Sequence, residues 1–512
     1  MSKKFTSTVA GASILITIVG LLGKGLGLFR EIIFANSFGI SVNYNLYLVG
    51  AVLPLTINTI ILYIGQNYFI PNYNRIKVES PDHSDKFIGS TFWVFTAGGI
   101  ILSLLLLIFS KSFITLYLKD SSQAALVSTT EIFRIFLITI PINSASAILA
   151  AYLQSEFEFK YPAYSQLFLN ISVIFLVMFF SGYIGVFTIP LGYVLGNSLR
   201  LGYLIIKTFN KINLKITSLF KWGKISGFAA TTFLITILIE SISQLFLLAD
   251  RYFYHFVDKG GIASLNYAMN LFLLPVSIIS VALSTAIFPA LSQSFNEKNW
   301  DDLKNKLNNF YSINTFLFVP IGFILIVYGD IIIKLLFQRG QFDSNATLMT
   351  YDVLKFYVLS IIFYSSYAVI NKLLYSVNLI KWLLILTIAG CALKIYLNFS
   401  LVGYYKQVGL AISTSISYLF YFLCGAFLIY NKLKIGMQDF LKGLFFSLLN
   451  GFMSYLVVTL LSSVLLGNDM MLNGLIKLIA FIFIYTINSK VVNQNAVKIF
   501  GSVYHGFRQG FS

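Results

Sequence analysis

Two cations interrupt the first long apolar stretch of this sequence. Lys24 and Arg30 lie among glycine, leucine and phenylalanine residues, in a run long enough to cross a bilayer. An ionisable side chain in a membrane span is costly, and by default it is either paired or lines a wet cavity. Glu31 follows Arg30, so one interpretation is an ion-paired anchor at the membrane interface. In the other, Lys24 and Arg30 contact an anionic head group, because guanidinium suits bidentate phosphate binding and ammonium acts as a point charge.

Other charges in apolar runs have candidate partners nearby in the sequence. Two acid–base pairs have a spacing of three residues, which puts both side chains on one helix face; they are Glu131 with Arg134, and Asp352 with Lys355. We predict that both are self-neutralising structural pairs. Arg251 follows Asp250 at the end of a span, where it is either paired locally or a further phosphate contact.

Glu240 and Lys394 have no opposite charge close by in the sequence. Both lie about three-fifths of the way across their predicted spans. Each charge alone would be several kcal/mol unfavourable at that depth. Their matching depth predicts one buried ion pair within the second half of the chain.

The elements that carry these charges are predicted to be membrane helices. The chain has 512 residues, of which 57% are hydrophobic and 11% charged, whereas about 25% are charged in an average soluble domain. About fourteen apolar runs of roughly 20 residues recur along it, each sufficient to cross the hydrocarbon core as a helix. They do not alternate with period two as barrel strands do. The sequence therefore predicts an all-α polytopic membrane protein with about 14 transmembrane helices.

The net charge of +17 is distributed over short connections between the apolar runs. That pattern lacks the solvated basic face of a nucleic-acid-binding protein. Roughly 22 Lys and Arg residues fall on the side of the N-terminus and about 7 on the opposite side, which by the positive-inside rule predicts that both termini are cytoplasmic. Cys391 and Cys424 fall within spans, so no disulfide, metal site or cofactor is predicted.

An offset of 221 residues (251 − 30) aligns the chain with itself, and residues that rarely coincide by chance match. They include Arg30 with Arg251, Gly39 with Gly260, Asn45 with Asn266, Pro54 with Pro275, and Gly182 with Gly403. Six spans in each repeat return the chain to its starting side, so the two copies are predicted to be parallel. We predict an N-lobe of residues 1–221, a C-lobe of 222–440, and two further helices with a cytoplasmic tail in 441–512.

Glycines and prolines mark candidate hinges in these helices. Gly23, Gly25 and Gly27 are spaced two apart, unlike the close-packing GxxxG pattern, and should loosen the first helix beside Lys24. Pro54 and Pro275 each remove a backbone hydrogen bond inside a span. Their matched bends either surround a shared cavity or are packing kinks.

Several stretches together resemble the MviN/MurJ family, which flips lipid-linked peptidoglycan precursor and belongs to the multidrug/oligosaccharidyl-lipid/polysaccharide exporter superfamily. They are Gly20 to Glu31, Ala35 to Gly39, Leu53-Pro54, Asp250-Arg251, Gly261 to Ala268, Pro275, Phe288 to Ser292, and Leu335 to Phe342. The resemblance spans about residues 10–440 and is specific as a combination of motifs.

The resemblance implies a fourteen-helix flippase in the bacterial cytoplasmic (inner) membrane. Two six-helix lobes would surround a cationic cavity that opens to each side in turn, and the last two helices would form a groove for the polyprenyl tail. Together with the charge pattern, it suggests that Lys24, Arg30 and Arg251 contact the phosphates of a lipid-linked oligosaccharide. Polar contacts to its sugar or peptide would come from Asn45, Asn58, Asn266 and Asn270.

The chain departs from the family pattern at several charged positions. Lys24 stands where the family has Arg, Asn45 where it has Asp, Asn58 near a family Arg, and Met269-Asn270 where it has Asp-Arg. These changes leave open a lipid-linked glycan other than lipid II. Some members resemble sodium-coupled transporters with an Asn-x-x-x-Asp pattern followed by a Thr; here the pattern reads Lys394-x-x-x-Asn398 with Thr414, so we predict that sodium is not bound there.

Two other classes compete with a flippase. A cation-coupled drug antiporter of the same superfamily would need an acidic cavity, whereas the first helix here is cationic. A membrane enzyme that uses lipid-linked sugars would need a large outward loop with paired acids or a histidine, and the predicted outward connections are short. We therefore predict a transporter that acts as a monomer on a lipid-linked oligosaccharide in the bilayer, without nucleic acid.

Overall fold

The computed structural model describes the backbone of residues 9–118, 121–209, 211–212, 230–377, 379–465, 470–494, 496–499 and 501. Within these ranges the chain is helical almost throughout and contains no strand. The first eleven helices are α1 (Val9–Phe38), α2 (Val42–Ile64), α3 (Ile70–Glu79), α4 (Pro81–Ile108), α5 (Ser110–Tyr117), α6 (Gln123–Leu137), α7 (Thr139–Ser155), α8 (Lys160–Ser165), α9 (Leu167–Ile184), α10 (Thr188–Thr208) and α11 (Ala230–Tyr252). The next eight are α12 (Gly261–Asn296), α13 (Trp300–Val327), α14 (Gly329–Phe337), α15 (Ser344–Val358), α16 (Ile361–Ser376), α17 (Ile380–Leu433), α18 (Gln438–Leu465) and α19 (Met470–Val492).

Short polar side chains begin several of these helices. The Ser41 hydroxyl accepts a hydrogen bond from Tyr44 N at 3.3 Å at the start of α2, and Ser122 does the same for Ala125 N before α6. Asn299 accepts from Asp302 N at 3.1 Å at the start of α13. Each cap satisfies a backbone donor that the first turn leaves without a partner.

Nine helical stretches among the residues with described side chains are long and apolar enough to span a membrane, and the bent pair α15–α16 makes a tenth. Two of the nine, Lys160–Thr208 and Ile380–Leu433, have 49 and 54 residues, about twice the length that one crossing requires. The predicted all-α membrane fold is confirmed. The number of fourteen spans stays a prediction, because α1 and α11 lie partly outside the residues with described side chains.

Residue contacts divide the chain into two compact units. The N-terminal unit comprises Met1–Ala263 with the short segment Arg339–Asp343, and the C-terminal unit comprises Ser264–Gln338 and Ser344–Ser512. Helix α11 packs on α2 and therefore belongs to the first unit by contact. The lobe boundary predicted at residue 221 concerns the sequence repeat and stays a prediction.

Helix α7 forms the centre of the N-terminal unit. Its alanine and serine residues let neighbouring helices approach closely, as is common in membrane proteins. A Cβ at Gly99 of α4 would collide with the Ser144 hydroxyl, and one at Gly65 would lie 3.1 Å from Ala147 Cβ. These contacts fix α4 and the segment after α2 against α7.

In the C-terminal unit, the last two helices dock on α13. A Cβ at Gly443 would lie 2.8 Å from the Thr315 hydroxyl, and one at Gly451 2.6 Å from the Phe323 ring. Between α18 and α19, Asn450 donates to Tyr485 O at 3.2 Å and to Asn493 Oδ1 at 3.1 Å. Small residues and buried amides thus hold these two helices together in an apolar environment.

Backbone features of the two units recur 221 residues apart. Helices α6 and α15 begin at Gln123 and Ser344 (344 − 123 = 221) and have the same length, 15 residues. Gly185 has φ 57° and ψ −137°, and Lys406, also 221 residues later, has φ 51° and ψ −130°. These coincidences support the predicted repeat.

The predicted hinge residues lie in continuous helices. Helix α1 runs unbroken through Gly23, Gly25 and Gly27, and a Cβ at any of them would meet no atom within 4 Å. Pro54 is buried inside α2, and Pro275 lies inside α12. The predicted bending at these positions stays a prediction.

Candidate functional site

Arg30 of α1 is part of a compact polar and aromatic cluster. Its Nη2 donates to Glu31 Oε1 at 2.8 Å and its Nη1 to Asn170 Oδ1 of α9 at 3.1 Å. The guanidinium also lies 5.6 Å from the ring centre of Phe34 and 5.8 Å from that of Tyr193 in α10. With side-chain exposures of 18% and 7%, Arg30 and Glu31 form a largely buried ion pair. The Arg30–Glu31 ion pair is thus present and neutralises the charge of Arg30, whereas the choice between an interfacial anchor and a phosphate contact stays a prediction.

Lys24 has a different environment in the same helix. Its side chain is exposed, and no ion pair of Lys24 is found among the described residues. The glycines on either side of it present no Cβ to cover its aliphatic stem. Lys24 is therefore a cation that an anionic ligand can reach without breaking an existing pair.

Arg251 lies at the end of α11 and connects it to the start of α12. Its Nη1 donates to Ile262 O at 3.5 Å, and both Arg251 and the buried Asp250 take part in further interactions. The guanidinium is thus already engaged with protein atoms.

Asn45 has a structural task. Its amide nitrogen donates to Ile40 O at 3.2 Å and Ser41 O at 2.7 Å, while its oxygen accepts from Ala263 N at 2.8 Å. It thereby closes the turn before α2 and caps the first turn of α12. All three bonds join it to backbone groups, which favours packing over glycan contact.

Asn58 lies deep in the same unit. Its nitrogen donates to the Thr139 hydroxyl of α7 at 2.7 Å, and its oxygen is buried without a partner. In the C-terminal unit, Asn266 and Asn270 are half-buried and one turn apart on α12, so they share a face of that helix.

Glu240 and Lys394, predicted to form one buried ion pair, lie on helices of different units. Glu240 lies on α11, which packs on α2 in the N-terminal unit, and no ion pair of Glu240 is found in the described part of the chain. Lys394 is fully buried on α17 in the C-terminal unit and has interactions of its own.

Asn398 lies one turn after Lys394 and is equally buried. Its oxygen accepts a hydrogen bond from the Ser413 hydroxyl, on the other arm of the α17 hairpin. The Thr414 hydroxyl is turned to its own helix and donates to Leu410 O at 2.9 Å. Lys394, Asn398 and Ser413 therefore mark a buried polar layer inside the hairpin.

Of the two acid–base pairs predicted from their spacing of three residues, one is formed and the other is not. Asp352 and Lys355 form an ion pair of 2.8 Å, as predicted. The Glu131–Arg134 pair is not formed, because Arg134 Nε donates instead to the Ser110 hydroxyl at 2.9 Å. Both side chains are exposed, so neither charge needs a partner.

The sequence reasoning missed Arg200 of α10. It is only 6% exposed, and its Nη1 donates to Asn143 Oδ1 of α7 at 3.4 Å. The signal was a single arginine within an apolar run that has no acidic residue.

Comparisons with known proteins agree with this architecture. Residues 34–496 match the family described as "Lipid II flippase MurJ". The chain is 26% identical to the lipid II flippase MurJ of Thermosipho africanus over 495 residues, 96% of this chain and 98% of that one. It is also 26% identical over 430 residues to a probable lipid II flippase MurJ of Buchnera aphidicola, covering 83% and 84% of the two chains. A solved structure titled "Lipid II flippase MurJ, inward closed conformation" superimposes with a TM-score of 0.80 at 26% identity, over 94% of this chain and 100% of that one.

The fold is all-helical, the charged first helix already suggested the resemblance, and the match extends over most of the chain. This chain therefore belongs to the MurJ lipid II flippase family.

Proposed function

We propose that this protein moves lipid II, or a closely similar polyprenyl-diphosphate-linked glycan, across the bacterial inner membrane. The single observation that carries the proposal is the end-to-end similarity to a solved lipid II flippase, which covers 94% of this chain. Membership of the family points to transport rather than to chemistry on the substrate. The departures at Asn45, Asn58 and Asn270 keep a different lipid-linked glycan as the second candidate.

The transport step needs no covalent chemistry. The diphosphate and glycan would occupy a wet cavity while the polyprenyl tail stays in the bilayer, and rocking of the helical units would change the side to which the cavity opens. The protein must therefore supply cationic and polar contacts that replace part of the water around the head group. It acts as a monomer with both termini in the cytoplasm.

Among the predicted phosphate contacts, Lys24 makes the main electrostatic contribution to binding of the diphosphate. It is exposed and carries no ion pair in the described residues, so its full charge is available to a diphosphate. Arg30 and Arg251 have secondary parts, because their guanidinium groups already have protein partners. For the glycan, Asn266 and Asn270 are better placed than the backbone-bonded Asn45.

Lys394 provides a fixed positive charge within the C-terminal unit. An ammonium group beside Asn398 excludes a second cation by like-charge repulsion, so transport proceeds without sodium binding at this layer. Thermal unfolding in sodium and in potassium salts should give the same midpoint. A sodium-specific stabilisation that disappears when Asn398 is changed to Ala would contradict this part of the proposal.

Growth of a bacterium depleted of its own lipid II flippase tests the main proposal. The native chain should restore growth, Lys24→Gln should restore little, and Lys24→Arg should restore most of it because the charge is kept. Lys111→Gln is a matched control, since Lys111 is also exposed but lies at the start of α5. Full rescue of growth by Lys24→Gln at equal protein level would reject the role of Lys24. Failure of the native chain to flip purified lipid II in vesicles would favour another lipid-linked glycan as the substrate.

A further inference from the structure

A buried guanidinium in the N-terminal unit has no counter-charge among the described residues. Arg200 is 6% exposed and makes one hydrogen bond, the 3.4 Å contact to Asn143 Oδ1. That distance is beyond the usual range for an N–H···O bond. Its Nε is buried without a partner.

Helix α1 also contacts α10, through Arg30 and Tyr193, but its Glu31 is already paired with Arg30. The helices that pack most extensively on α10 do not supply the missing negative charge either. These are α6, α7, α8 and α9, and together they contain a single carboxylate, Glu131 of α6. Glu131 is exposed and lies 12 residues before Asn143 (143 − 131), about 18 Å along the two consecutive helices α6 and α7. Helix α10 itself has no acidic residue.

This arrangement is unfavourable without an additional group. A guanidinium stays protonated inside proteins, and an unpaired charge buried in the membrane region costs several kcal/mol. The oxygen of Asn143 is used by Arg200, and no described residue binds its amide nitrogen. The free N–H groups of Arg200 and the NH2 group of Asn143 are donors only, so together they suit an anion.

The packing around α10 restricts the size of that anion. One turn before Arg200, Gly196 brings α10 so close to α9 that a Cβ there would lie 2.7 Å from Leu169 Cα. Asn143 is 4% exposed on the other side. Such close packing one turn from Arg200 favours a monatomic ion over a lipid head group or a sugar diphosphate.

We infer that Arg200 and Asn143 bind a small inorganic anion, with chloride as the physiological ligand, inside the N-terminal unit. The ion is the counter-charge of Arg200 and stabilises the packing of α10 on α7. This site is independent of the proposed flippase activity, because it requires neither the lipid substrate nor movement of the units.

Halide titration of the purified full-length protein tests the inference. At constant ionic strength, replacement of gluconate by chloride or bromide should raise the thermal unfolding midpoint in a saturable way, by about 2 °C or more. Arg200→Gln should abolish the increase and Asn143→Ala should reduce it. Arg134→Gln is the matched control, since Arg134 is exposed and bonded to Ser110, and it should keep the full increase.

The variant Arg200→Met predicts the direction in which the unfolding temperature changes. It removes the unpaired charge, so in gluconate this variant should unfold at or above the temperature of the native protein, and it should lose that advantage in chloride. For the native protein, bromide-soaked crystals should show an anomalous peak beside Arg200, a result that does not depend on any variant folding. The absence of that peak, an equal halide effect in Arg200→Gln, or stabilisation by phosphate without halide would each overturn the inference.

Discussion

Arg30 and Arg200 show how differently one residue type is accommodated within one helical unit. Arg30 has Glu31 beside it in the sequence, Asn170 across the helix interface and two aromatic rings within 6 Å. Arg200 has one weak bond to Asn143. Arg30 has its counter-charge within the protein, although its Nε, like that of Arg200, is buried without a partner, so mutation of Arg30 should affect stability as well as transport. Arg200 has no counter-charge among the described residues, which is why it points to a ligand.

Replacing Arg30 by Met should destabilise the protein by about 3–5 kcal/mol, because Glu31 would stay buried without its cation. The double variant Arg30→Met with Glu31→Leu should recover much of that loss, since an apolar pair avoids the desolvation of both charges. Thermal unfolding of the two single variants, the double variant and the native chain forms a double-mutant cycle. If the double variant were no more stable than Arg30→Met alone, the ion pair would not be the reason for the loss.

At the scale of elements, two turns in the N-terminal unit meet backbone to backbone. Gly39, after α1, has φ 54°, and Gly340, between α14 and α15, has φ 55°. Gln341 N donates to Asn36 O at 2.9 Å between them. A Cβ at Gly39 would collide with Gln341 O, and one at Gly340 would collide with Asn36 O. Each glycine is therefore required both by its φ and by the space around it.

Gly39→Ala and Gly340→Ala should each destabilise the protein by at least about 2 kcal/mol, from the left-handed backbone and the overlap combined. Gly182→Ala is the control: this helical glycine in α9 meets no atom within 4 Å, and alanine there should be neutral or stabilising by up to about 1 kcal/mol. Thermal unfolding checks the contrast. Equal midpoints for Gly39→Ala and Gly182→Ala would mean that the two turns can separate without loss of stability.

The hairpins α9–α10 and α17 reverse at Gly185 and Lys406 with nearly the same dihedral angles. Glycine adopts this conformation freely, but a lysine is strained by about 1–3 kcal/mol. Lys406→Gly should therefore raise the unfolding midpoint. Gly185→Ala, which places a Cβ on the same backbone conformation, should lower it. A fall in the midpoint of Lys406→Gly would show that contacts of the lysine side chain outweigh the backbone strain.

For the molecule as a whole, the all-helical membrane fold could be predicted because apolar stretches of about 20 residues and the polar connections between them are visible in one dimension. The partners of the buried charges could not be predicted from the sequence. Depth gives one coordinate of Glu240 and Lys394, but contact also depends on the rotation of each helix and on which helices are neighbours. Asn45 looked like a cavity residue, although its oxygen reaches the backbone of Ala263, 218 residues away. Arg30 with Glu31 was predictable since the two are adjacent.

The full topology gives the last prediction, because each predicted crossing reverses the side of every connection that follows. In a variant without Cys391 and Cys424, single cysteines would be placed at Ser80 before α4 and Asn299 before α13. With both termini inside, and with α1 and α11 each crossing, the thiols at Ser80 and Asn299 face the cytoplasm and escape an impermeant maleimide in intact cells. A cysteine at Ser121, between α5 and α6, faces outward and should be labelled. If α1 did not cross, Ser80 and Ser121 would exchange sides; if only α11 did not, Asn299 alone of the three would change. The labelling pattern therefore separates the fourteen-span arrangement from either thirteen-span alternative and checks the orientation that the lysine distribution predicts.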